Sequence, residues 1–599
     1  MRLLASLGLL VALVACQHHH PGSDAAACDP ADPSCGTPTD PVIISCPGCP
    51  TFPPPGGGGS PPACTGQGAA PQLVYPTDQV LLPPNMNVIE VQFLPGAGNT
   101  LFEIDFKSAA TDVRLETMCT AITDTRGVAT GGCAFDLDPT DWKYVATHSR
   151  GGDPVTVTVR AAPTDLSCVS GSNSRQILFS QEDLMGGIYY WQSTTQNGVA
   201  GKTGGIFRKD FGNPDPTPEP FLTPGNLNKC VGCHFLSRDG LKMTYGSDDA
   251  DSDDEYGDLK VVLYDITNRT AAVTNLPAGF QAFEAAGHDS FFASDGKGMS
   301  TTPEVLHYNG GTGAAMTASL FASLTGKHIA QPDWSRDGQK LYFTLATPIT
   351  GITGYNLKDD LHVTNGSIYA ASVTAGAAAN PVALVTAAST DENNYYPAIS
   401  PDGSAVIFNR ATGTTLATHD SYNNPNAKLF AVEAAGGTPV ELTKANQKDG
   451  LTNSWPRWSP FVQMYQGKRI VWVTFSSTRN YGIRVHNEDP TFFNCYPPVS
   501  PEDTSGDHAK PFDPNCTQPQ LWMAAISLDD LAAGKDPSFP AFWLPFQDVT
   551  AHNHIAQWVD MIVPPPQNCQ QIGQDCTTLT CCAGETCDAT THTCVSIIL

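Results

Sequence analysis

Three neighbouring residues in the middle of the chain could carry chemistry: Cys230, Cys233 and His234. Two thiols separated by two residues and followed by an imidazole form the C-x-x-C-H pattern. In that pattern the thiols can attach a haem c through thioethers, and the histidine can bind the iron as proximal ligand. The alternatives are a structural disulfide between the two cysteines and, behind it, a Cys/His zinc site. The pattern therefore predicts one covalent haem c and leaves a disulfide open.

A tight turn follows this motif directly and recurs along the chain. It is Ser237-Arg238-Asp239-Gly240, with copies at 335–338 and 400–403 and degenerate copies at 294–296 and 459–461. Ser and Asp can hydrogen-bond such a turn, Gly accepts its positive φ, and a strand of β-branched or aromatic residues follows. These units resemble the PD40 (WD40-like) repeats of TolB-type proteins. One such unit cannot bury its faces alone, so the resemblance implies a closed β-propeller over residues 174–563.

The repeats predict an all-β, six-bladed TolB-like propeller, with seven blades left open because the segment 465–531 is long. The expected inner strands contain Phe235, Phe291, Trp334, Ile399 and Trp458. A sixth blade is expected to be split: its inner strand is 555–559, and its outer strands are 187–191 and 205–208. Such an exchange closes the ring and leaves no free sheet edge.

Two further histidines are candidates for the second axial position of the haem iron, His554 and His288. With the repeats aligned on the turn Asp, His234 falls where other blades carry a proline. We expect His554 and His288 in the corresponding connections, one blade away on either side, with His554 preferred. A bis-histidine haem favours electron transfer or redox sensing. The alternative for each histidine is a polar loop residue.

The N-terminus predicts export. Arg2 precedes an apolar run over residues 3–14 that is too short to span a bilayer, and Leu13-Val14-Ala15-Cys16 resembles a bacterial lipobox. We expect residues 1–16 to be a signal peptide and Cys16 to be lipidated, which would anchor the chain to the bacterial cell envelope, at the outer membrane on its periplasmic or surface face. An ordinary secretory signal is the alternative. Nineteen cysteines suit an oxidising compartment.

Three further segments flank the repeats. Residues 17–69 are rich in Pro and Gly and predict a tether with local disulfide loops. Residues 70–165 alternate apolar and polar residues between turns and resemble an Ig/FnIII-like antiparallel sandwich, with Cys119 paired to Cys133 and Trp142 in the core. Residues 567–599 have the cysteine spacing of a knottin-like module that disulfides hold together.

Charge narrows the range of partners. The formal net charge of −27 argues against nucleic acid or an anionic bilayer as the main partner. The acidic run at 248–255 resembles a calcium loop but lacks its Gly and its last carboxylate, so only weak calcium binding stays open. The chain has no G-x-S-x-G and no H-E-x-x-H, so we name no catalytic residue.

The sequence thus leads to two functional hypotheses. The first is an exported, lipid-anchored propeller with one haem c at its channel mouth, acting in electron transfer or redox sensing with a redox partner. The alternative is a haem-free cell-envelope scaffold that binds a protein or glycan, in which Cys230 and Cys233 form a disulfide. The oligomeric state is not determined by the sequence, and turnover chemistry ranks last.

Overall fold

Short strands make up nearly all of the regular structure. A computed structural model describes residues 41–46, 49–53, 61–66, 69–86, 88–124, 127–193, 205–213, 215, 217–223, 231–247, 260–277, 280–284, 290–294, 305–309, 312–315, 324, 327–347, 363–374, 377–413, 421, 424–485, 519–564, 575–577, 585–588 and 590–596. These residues form two large facing sheets, six sheets of propeller type and a C-terminal hairpin.

The first structural unit consists of two sheets and one helix. Its elements are β1 (Val42–Ser45), β2 (Gln72–Tyr75), β3 (Val80–Leu82), β4 (Val91–Leu94), β5 (Leu101–Lys107), β6 (Asp112–Met118), β7 (Ala121–Thr123), β8 (Ala129–Phe135), α1 (Pro139–His148), β9 (Val155–Ala162), β10 (Ser170–Gly171) and β11 (Arg175–Phe179). One sheet has the order β1-β6-β5-β9-β11-β3 with β10 on β9, and the other has β2-β4-β8-β7. Phe93 and Phe102, one from each sheet, lie 5.0 Å apart between ring centroids, so the two sheets share a core.

The core of this unit follows from its sequence pattern. In β9 the valines are buried and the threonines between them are half-buried, as the two-residue period of a strand requires. The predicted core residue Trp142 is buried, but it lies on α1 and not on a strand. The helix begins at Pro139 after Asp138, whose carboxylate accepts from Thr140 N at 2.8 Å. The alternating pattern did not predict this helix.

Several boundaries differ from the sequence prediction. Residues 42–45, predicted as tether, form β1, which pairs in parallel with β6, so the unit is not purely antiparallel. Strand β11, predicted as part of the propeller, pairs with β9 and β3 instead. The predicted Cys119–Cys133 disulfide is confirmed. Cys64 bonds to Cys168, 104 residues away, and is therefore not in a local loop.

The remaining strands form the propeller. They are β12 (Gly187–Ser193), β13 (Gly205–Asp210), β14 (Glu219–Leu222), β15 (Val231–Leu236), β16 (Lys242–Ser247), β17 (Lys260–Asp265), β18 (Thr270–Pro277), β19 (Gln281–Phe283), β20 (Ser290–Ser294), β21 (Val305–Asn309), β22 (Thr312–Ala315), β23 (His328–Trp334), β24 (Lys340–Thr347), β25 (Thr364–Thr374), β26 (Ala377–Val385), β27 (Glu392–Ile399), β28 (Ala405–Thr412), β29 (Lys428–Glu433), β30 (Val440–Glu441), β31 (Ser454–Trp458), β32 (Gln463–Tyr465), β33 (Lys468–Ser477), β34 (Gln520–Ser527), β35 (Phe542–Trp543) and β36 (His552–Val559). Two short helices accompany them, α2 (Thr443–Asn446) and α3 (Leu528–Ala532).

Four consecutive strands form each of four sheets, β15–β18, β19–β22, β23–β26 and β27–β30. A further sheet has the order β31-β33-β34-β35 with β32 on β33. The last has the order β14-β13-β12-β36, so the C-terminal strand completes the sheet that the chain begins at β12, as the split-blade prediction requires. The inner strands β36, β15, β19, β23, β27 and β31 contact one another in that cyclic order. A ring of sheets around a central axis follows from these contacts.

One inner strand was predicted wrongly. The strand that contains Phe291 is β20, the second strand of its sheet, and the inner strand is β19. The degenerate Ser294-Asp295-Gly296 copy misled the alignment because it follows the second strand instead of the first.

The repeated turn has the predicted geometry in the full copies. Ser237 Oγ lies 2.7 Å from Asp239 Oδ1, and Ser237 N donates to Lys242 O at 2.9 Å. Ser335 with Asp337 and Ser400 with Asp402 repeat the side-chain pair at 2.6 and 2.7 Å. The turn glycine takes a φ of 71–74° in all three copies, which favours glycine over residues with a Cβ.

The two-sheet unit is docked on the segment that follows β33, in the sheet of β31, β33, β34 and β35. Arg484 Nε donates to both carboxylate oxygens of Glu90, at 2.7 and 2.9 Å. Ile483 N donates to Gln92 Oε1 at 2.7 Å, and the rings of Tyr75 and Tyr481 meet edge to face at 5.1 Å between centroids. Because this contact combines aromatic packing, a hydrogen bond from a backbone N–H and a charge pair, it holds the two units in one orientation.

A buried arginine ties the closing sheet to the chain that leaves it. Arg208, 2% exposed, pairs with Glu219 through two bonds of 2.9 Å. Its Nη1 also donates to Val563 O at 2.8 Å and to Tyr189 Oη at 3.1 Å. The ring of Phe221 lies 4.8 Å from its guanidinium carbon. One side chain therefore links β12, β13, β14 and the segment after β36.

Replacing Arg208 with methionine is expected to lower the free energy of unfolding by about 2 kcal/mol, because buried acceptors lose their donor. The effect is limited because Glu219 is half exposed and water can solvate its carboxylate. Chemical denaturation measures the change. Arg150→Met is the matched control, since that arginine pairs with Asp183 at the surface and its loss should cost less than about 1 kcal/mol. Equal losses in the two variants would contradict the prediction.

The C-terminal segment forms a hairpin of β37 (Glu585–Cys587) and β38 (Cys594–Ser596) with a Cys576–Cys587 disulfide. The described cysteines of this segment do not decide the knottin-like prediction. Four disulfides are described in all, which indicates that the chain folds in an oxidising compartment such as the periplasm or the exterior. Among the residues given above, no helix is long and apolar enough to cross a membrane.

Candidate functional site

The structure describes the C-x-x-C-H motif only in part. Cys230 lies outside the described residues, as do Cys16, His288 and the acidic run 248–255. Cys233 is placed by its backbone in β15, where the pairing with β16 shifts register. His234 lies inside the inner strand and not in a connection before it, as had been predicted. Of the motif's three functional groups, one imidazole is therefore available for analysis.

His234 is fully buried in the ring. Its exposed fraction is 0%, and burial lowers its pKa to about 4. The imidazole is therefore neutral at pH 7, which is the form that binds a metal. A buried ring offers no open face to a porphyrin, however. The haem stays a prediction from the motif.

The other histidines are buried as well. His554 and His552 lie on β36, and burial lowers the pKa of each to about 3, with mutual repulsion adding to the shift at His554. His328 begins β23 and is 6% exposed. Within the described parts of the chain, no three His, Cys, Asp or Glu side chains come together as a metal site.

A bulge in the inner strands shows that His234 and His554 are not equivalent in the repeat. Gln331, Tyr396 and Trp455 take positive φ at the bulge, and Ile555 does the same in β36. His554 precedes this position by one residue, whereas His234 follows the matching position of β15 by one. The two histidines therefore stand two positions apart in the repeat, and both lie within inner strands instead of the connections before them.

Aromatic side chains from opposite parts of the ring meet on its axis. Trp455 lies 4.3 Å from Tyr396 and 5.2 Å from Phe280, between ring centroids. Phe280 is in turn 5.7 Å from Phe235. These rings come from β27, β31, the start of β19 and β15, so their contacts fill the middle of the channel. We call Phe235, Phe280, Tyr396 and Trp455 the aromatic plug.

A cavity opens beside the plug, on the side where the repeated turns lie. All six inner strands or the turns after them contribute to its wall. The lining residues are Phe235, Leu236, Arg238, Gln281, Ala282, Phe283, Asp333, Ala398, Ile399, Pro401, Arg457, Trp458, Ser459, Gln557 and Trp558. None of the histidines considered above lines this cavity. We call it the turn-side cavity.

The turn-side cavity carries more positive than negative charge. Arg457 is 8% exposed, and burial lowers its pKa while the nearby Asp333 carboxylate acts in the opposite direction. Arg238 Nη2 lies 3.8 Å from Asp333 Oδ1, and Asp333 Oδ2 accepts from Ile399 N at 2.8 Å. Two arginines and one aspartate leave an excess of one positive charge in a chain whose net charge is −27.

Arginines of the turns reach across the mouth of the cavity. Arg238, from the sheet of β15, donates to Trp334 O two sheets away. Arg336 donates to Pro460 O at 3.2 Å and pairs with Asp560, which follows β36. These bonds hold turns of distant sheets together and narrow the opening, so the cavity suits a narrow group such as a single side chain or chain end.

The sequence signal for this cavity lies at a different repeat position from the histidines, so the motif did not point to it. The residues two places before the turn serine are Phe235, Asp333, Ala398 and Arg457, with Gln557 at the matching place in β36. Charged and amide side chains at a position that otherwise holds apolar residues were the available signal. Their meeting in one cavity could be recognised only once the ring was closed.

No family model matches the chain, and no curated protein matches it. Among solved structures, it is similar to a TolB-type protein from Agrobacterium tumefaciens, with 13% identity over 62% of this chain and 98% of that one, at a TM-score of 0.31. It is also similar to a GH74 enzyme from Niastella koreensis, with 12% identity over 60% of this chain and 46% of that one, at a TM-score of 0.33. The assignment of a propeller to this chain rests on its strand pairing and not on these likenesses.

Proposed function

We propose that this protein is an exported six-bladed propeller that binds a segment of a protein partner at the turn-side cavity. The observation that carries the proposal is the cavity itself, which all six inner strands build and which holds two arginines beside an aspartate. A concave pocket with a few converging polar groups is the usual form of a ligand-binding site. Lipidation at Cys16 and a knottin-like tail would belong to the same envelope-attached protein.

Position-specific crosslinking tests this function. A photo-crosslinking amino acid is placed at Pro401, which lines the cavity, or at Val382, which is 65% exposed on the outer strand β26. In the envelope of the native host, we expect one discrete protein adduct from position 401 and none from position 382. No adduct at 401, or the same adducts at both positions, would contradict the proposal. An adduct that a glycosidase removes would favour a glycan partner.

Electron transfer through a covalent haem is the second candidate, and the observation that favours it is the C-x-x-C-H motif with its neutral imidazole. Covalent haem staining of protein from a host that matures cytochromes c separates the two candidates. A stain that Cys230→Ser with Cys233→Ser abolishes would support the haem. A protein without a Soret band would leave the two cysteines with a structural role.

A further inference from the structure

We propose that Arg457 and Arg238 form a binding site for a carboxylate group of a peptide. This inference rests on the proposed function and deepens it, since it names the chemistry of the group that enters the turn-side cavity.

Arg457 has donors to spare although it is more than nine-tenths buried. A guanidinium has five N–H groups. Nη1 of Arg457 donates to Pro456 O at 3.2 Å, and its other donors meet no acceptor in the part of the chain that the structure describes. The donors without a protein partner are open to the cavity and not sealed in the core, so an acceptor there can complete their hydrogen bonding. The residue lines the cavity, so a ligand that enters the cavity can supply this acceptor.

A second donor lies in the same wall. Gln557 is 8% exposed, and its buried Nε2 donates to no acceptor within the described ranges. Asp333 does not satisfy either residue, because it accepts from Ile399 N and faces Arg238. The cavity therefore presents donors from two inner strands, β31 and β36, and a ligand must bring acceptor oxygens to both.

The charge balance favours a monoanion. With Asp333 set against one arginine, a single positive charge remains, and a carboxylate neutralises it with bidentate geometry that matches a guanidinium. A doubly charged phosphate would leave a negative charge in a partly enclosed site beside Asp333, which is less favourable. The carboxylate belongs to a chain that the narrow mouth can admit, such as an acidic side chain or a peptide C-terminus.

The tryptophans argue for a peptide over a sugar. Trp458 and Trp558 line the cavity but are only 6% and 8% exposed. Their indole N–H groups donate to Ala398 O and Thr474 Oγ1, each at 2.9 Å. A sugar ring needs an open aromatic face to stack on, and these rings are largely covered. The covered tryptophan rings of the cavity wall can still contact the few aliphatic carbons that adjoin a peptide carboxylate.

Titration calorimetry on the full chain tests the site with defined probes. The first pair is acetyl-tetra-alanine with a free C-terminus and the same peptide as an amide. The second pair is acetyl-Ala-Ala-Glu-Ala-amide and its Gln counterpart. We expect that, in one of the two pairs, the peptide with a carboxylate binds and its neutral counterpart does not. Binding in the first pair would identify the ligand as a peptide C-terminus. Binding in the second pair would identify it as an acidic side chain.

Arg457→Gln is expected to weaken this binding about ten-fold or more, as the loss of a charge-assisted hydrogen bond predicts. Arg238→Gln, on a partly exposed side chain, should weaken it as well and is the deciding variant if Arg457→Gln does not fold. Arg269→Gln, at an exposed position outside the cavity, should leave it unchanged.

Three results would overturn the inference. The first is that neither carboxylate peptide shows saturable binding. The second is that folded Arg457→Gln and Arg238→Gln bind the carboxylate peptide with unchanged affinity. The third is that trigalacturonate binds in place of the peptides, which would indicate an acidic glycan. Crosslinking at position 401 without carboxylate-dependent binding would remove this inference and leave the proposed function intact. Carboxylate-dependent binding without crosslinking would support the carboxylate site and contradict the proposed binding of a protein partner.

Discussion

Gly240→Ala is expected to destabilise the protein by about 3 kcal/mol or more, whereas Gly403→Ala at the same place in another repeat should cost about 1 kcal/mol. Both glycines have positive φ, 74° and 73°, so both variants bear the strain of a Cβ in the left-handed region. They differ in their surroundings. A Cβ at Gly240 would lie 2.5 Å from Met561 O, whereas nothing lies within 4 Å of one at Gly403.

The clash at Gly240 cannot be relieved by a simple side-chain rotation, because the atom it meets belongs to the backbone that leaves β36. Asp560 N donates to Arg238 O at 2.7 Å, and Arg208 holds Val563 O, so this segment is fixed on both sides of Met561. Moving it would disturb the contact between the first complete sheet and the closing one. Gly240 therefore tests ring closure as well as turn geometry.

Urea denaturation of the two alanine variants, followed by far-ultraviolet circular dichroism, measures the difference in unfolding free energy. Gly338→Ala provides a second control, since its φ is 71° and its Cβ would also meet nothing within 4 Å. If all three variants lost the same stability, backbone strain alone would explain the effect. The proposed contact between the β15 turn and the segment after β36 would then be wrong.

Acid is expected to destabilise the propeller through its buried histidines. In the folded protein burial lowers the pKa of His234 to about 4 and those of His552 and His554 to about 3, whereas a histidine in the unfolded chain titrates near 6.5. Below pH 6.5 the unfolded chain therefore binds protons that the folded protein excludes. The stability from these neutral histidines is complete above pH 6.5 and is lost as the pH falls from there towards 4 and 3.

The expected slope is about 1.4 kcal/mol per pH unit for each histidine, so three of them together contribute about 4 kcal/mol per unit below pH 6.5. Two carboxyl groups act in the opposite direction. Burial raises the pKa of Asp105 and of Asp136 to about 6, so the folded protein binds their protons more readily than the unfolded chain does. Their contribution is gained as the pH falls below 6 and offsets part of the loss.

His554→Gln isolates one histidine. The difference in unfolding free energy between the variant and the wild type should change by about 2 kcal/mol in favour of the variant between pH 8 and pH 5. The reason is that the variant no longer has an imidazole that takes up a proton on unfolding. Asp105→Asn should shift the pH dependence the other way, with a steeper loss in acid. Denaturant titrations at pH 8, 6.5 and 5 provide the measurement. A pH-independent difference between His554→Gln and the wild type would show that this imidazole is not excluded from protonation in the folded state.

The amino-acid sequence by itself determined the repeating parts of this protein. The Ser-Asp-Gly turn and the strands that follow it depend on local hydrogen bonding, on the φ that glycine permits and on the two-residue period of strands. These are short-range properties that can be read from a few neighbouring residues. The Cys119–Cys133 disulfide and the burial of Trp142 followed from similar local patterns.

Only the tertiary structure decided which side chains meet. The bulge at Tyr396, Trp455 and Ile555 changes which side of the inner strand each residue faces, and no local pattern announces it. It directs aromatic rings onto the channel axis. Arg457 and Asp333 become neighbours because six sheets close around that axis, and closure depends on contacts between residues that are hundreds of positions apart in the chain.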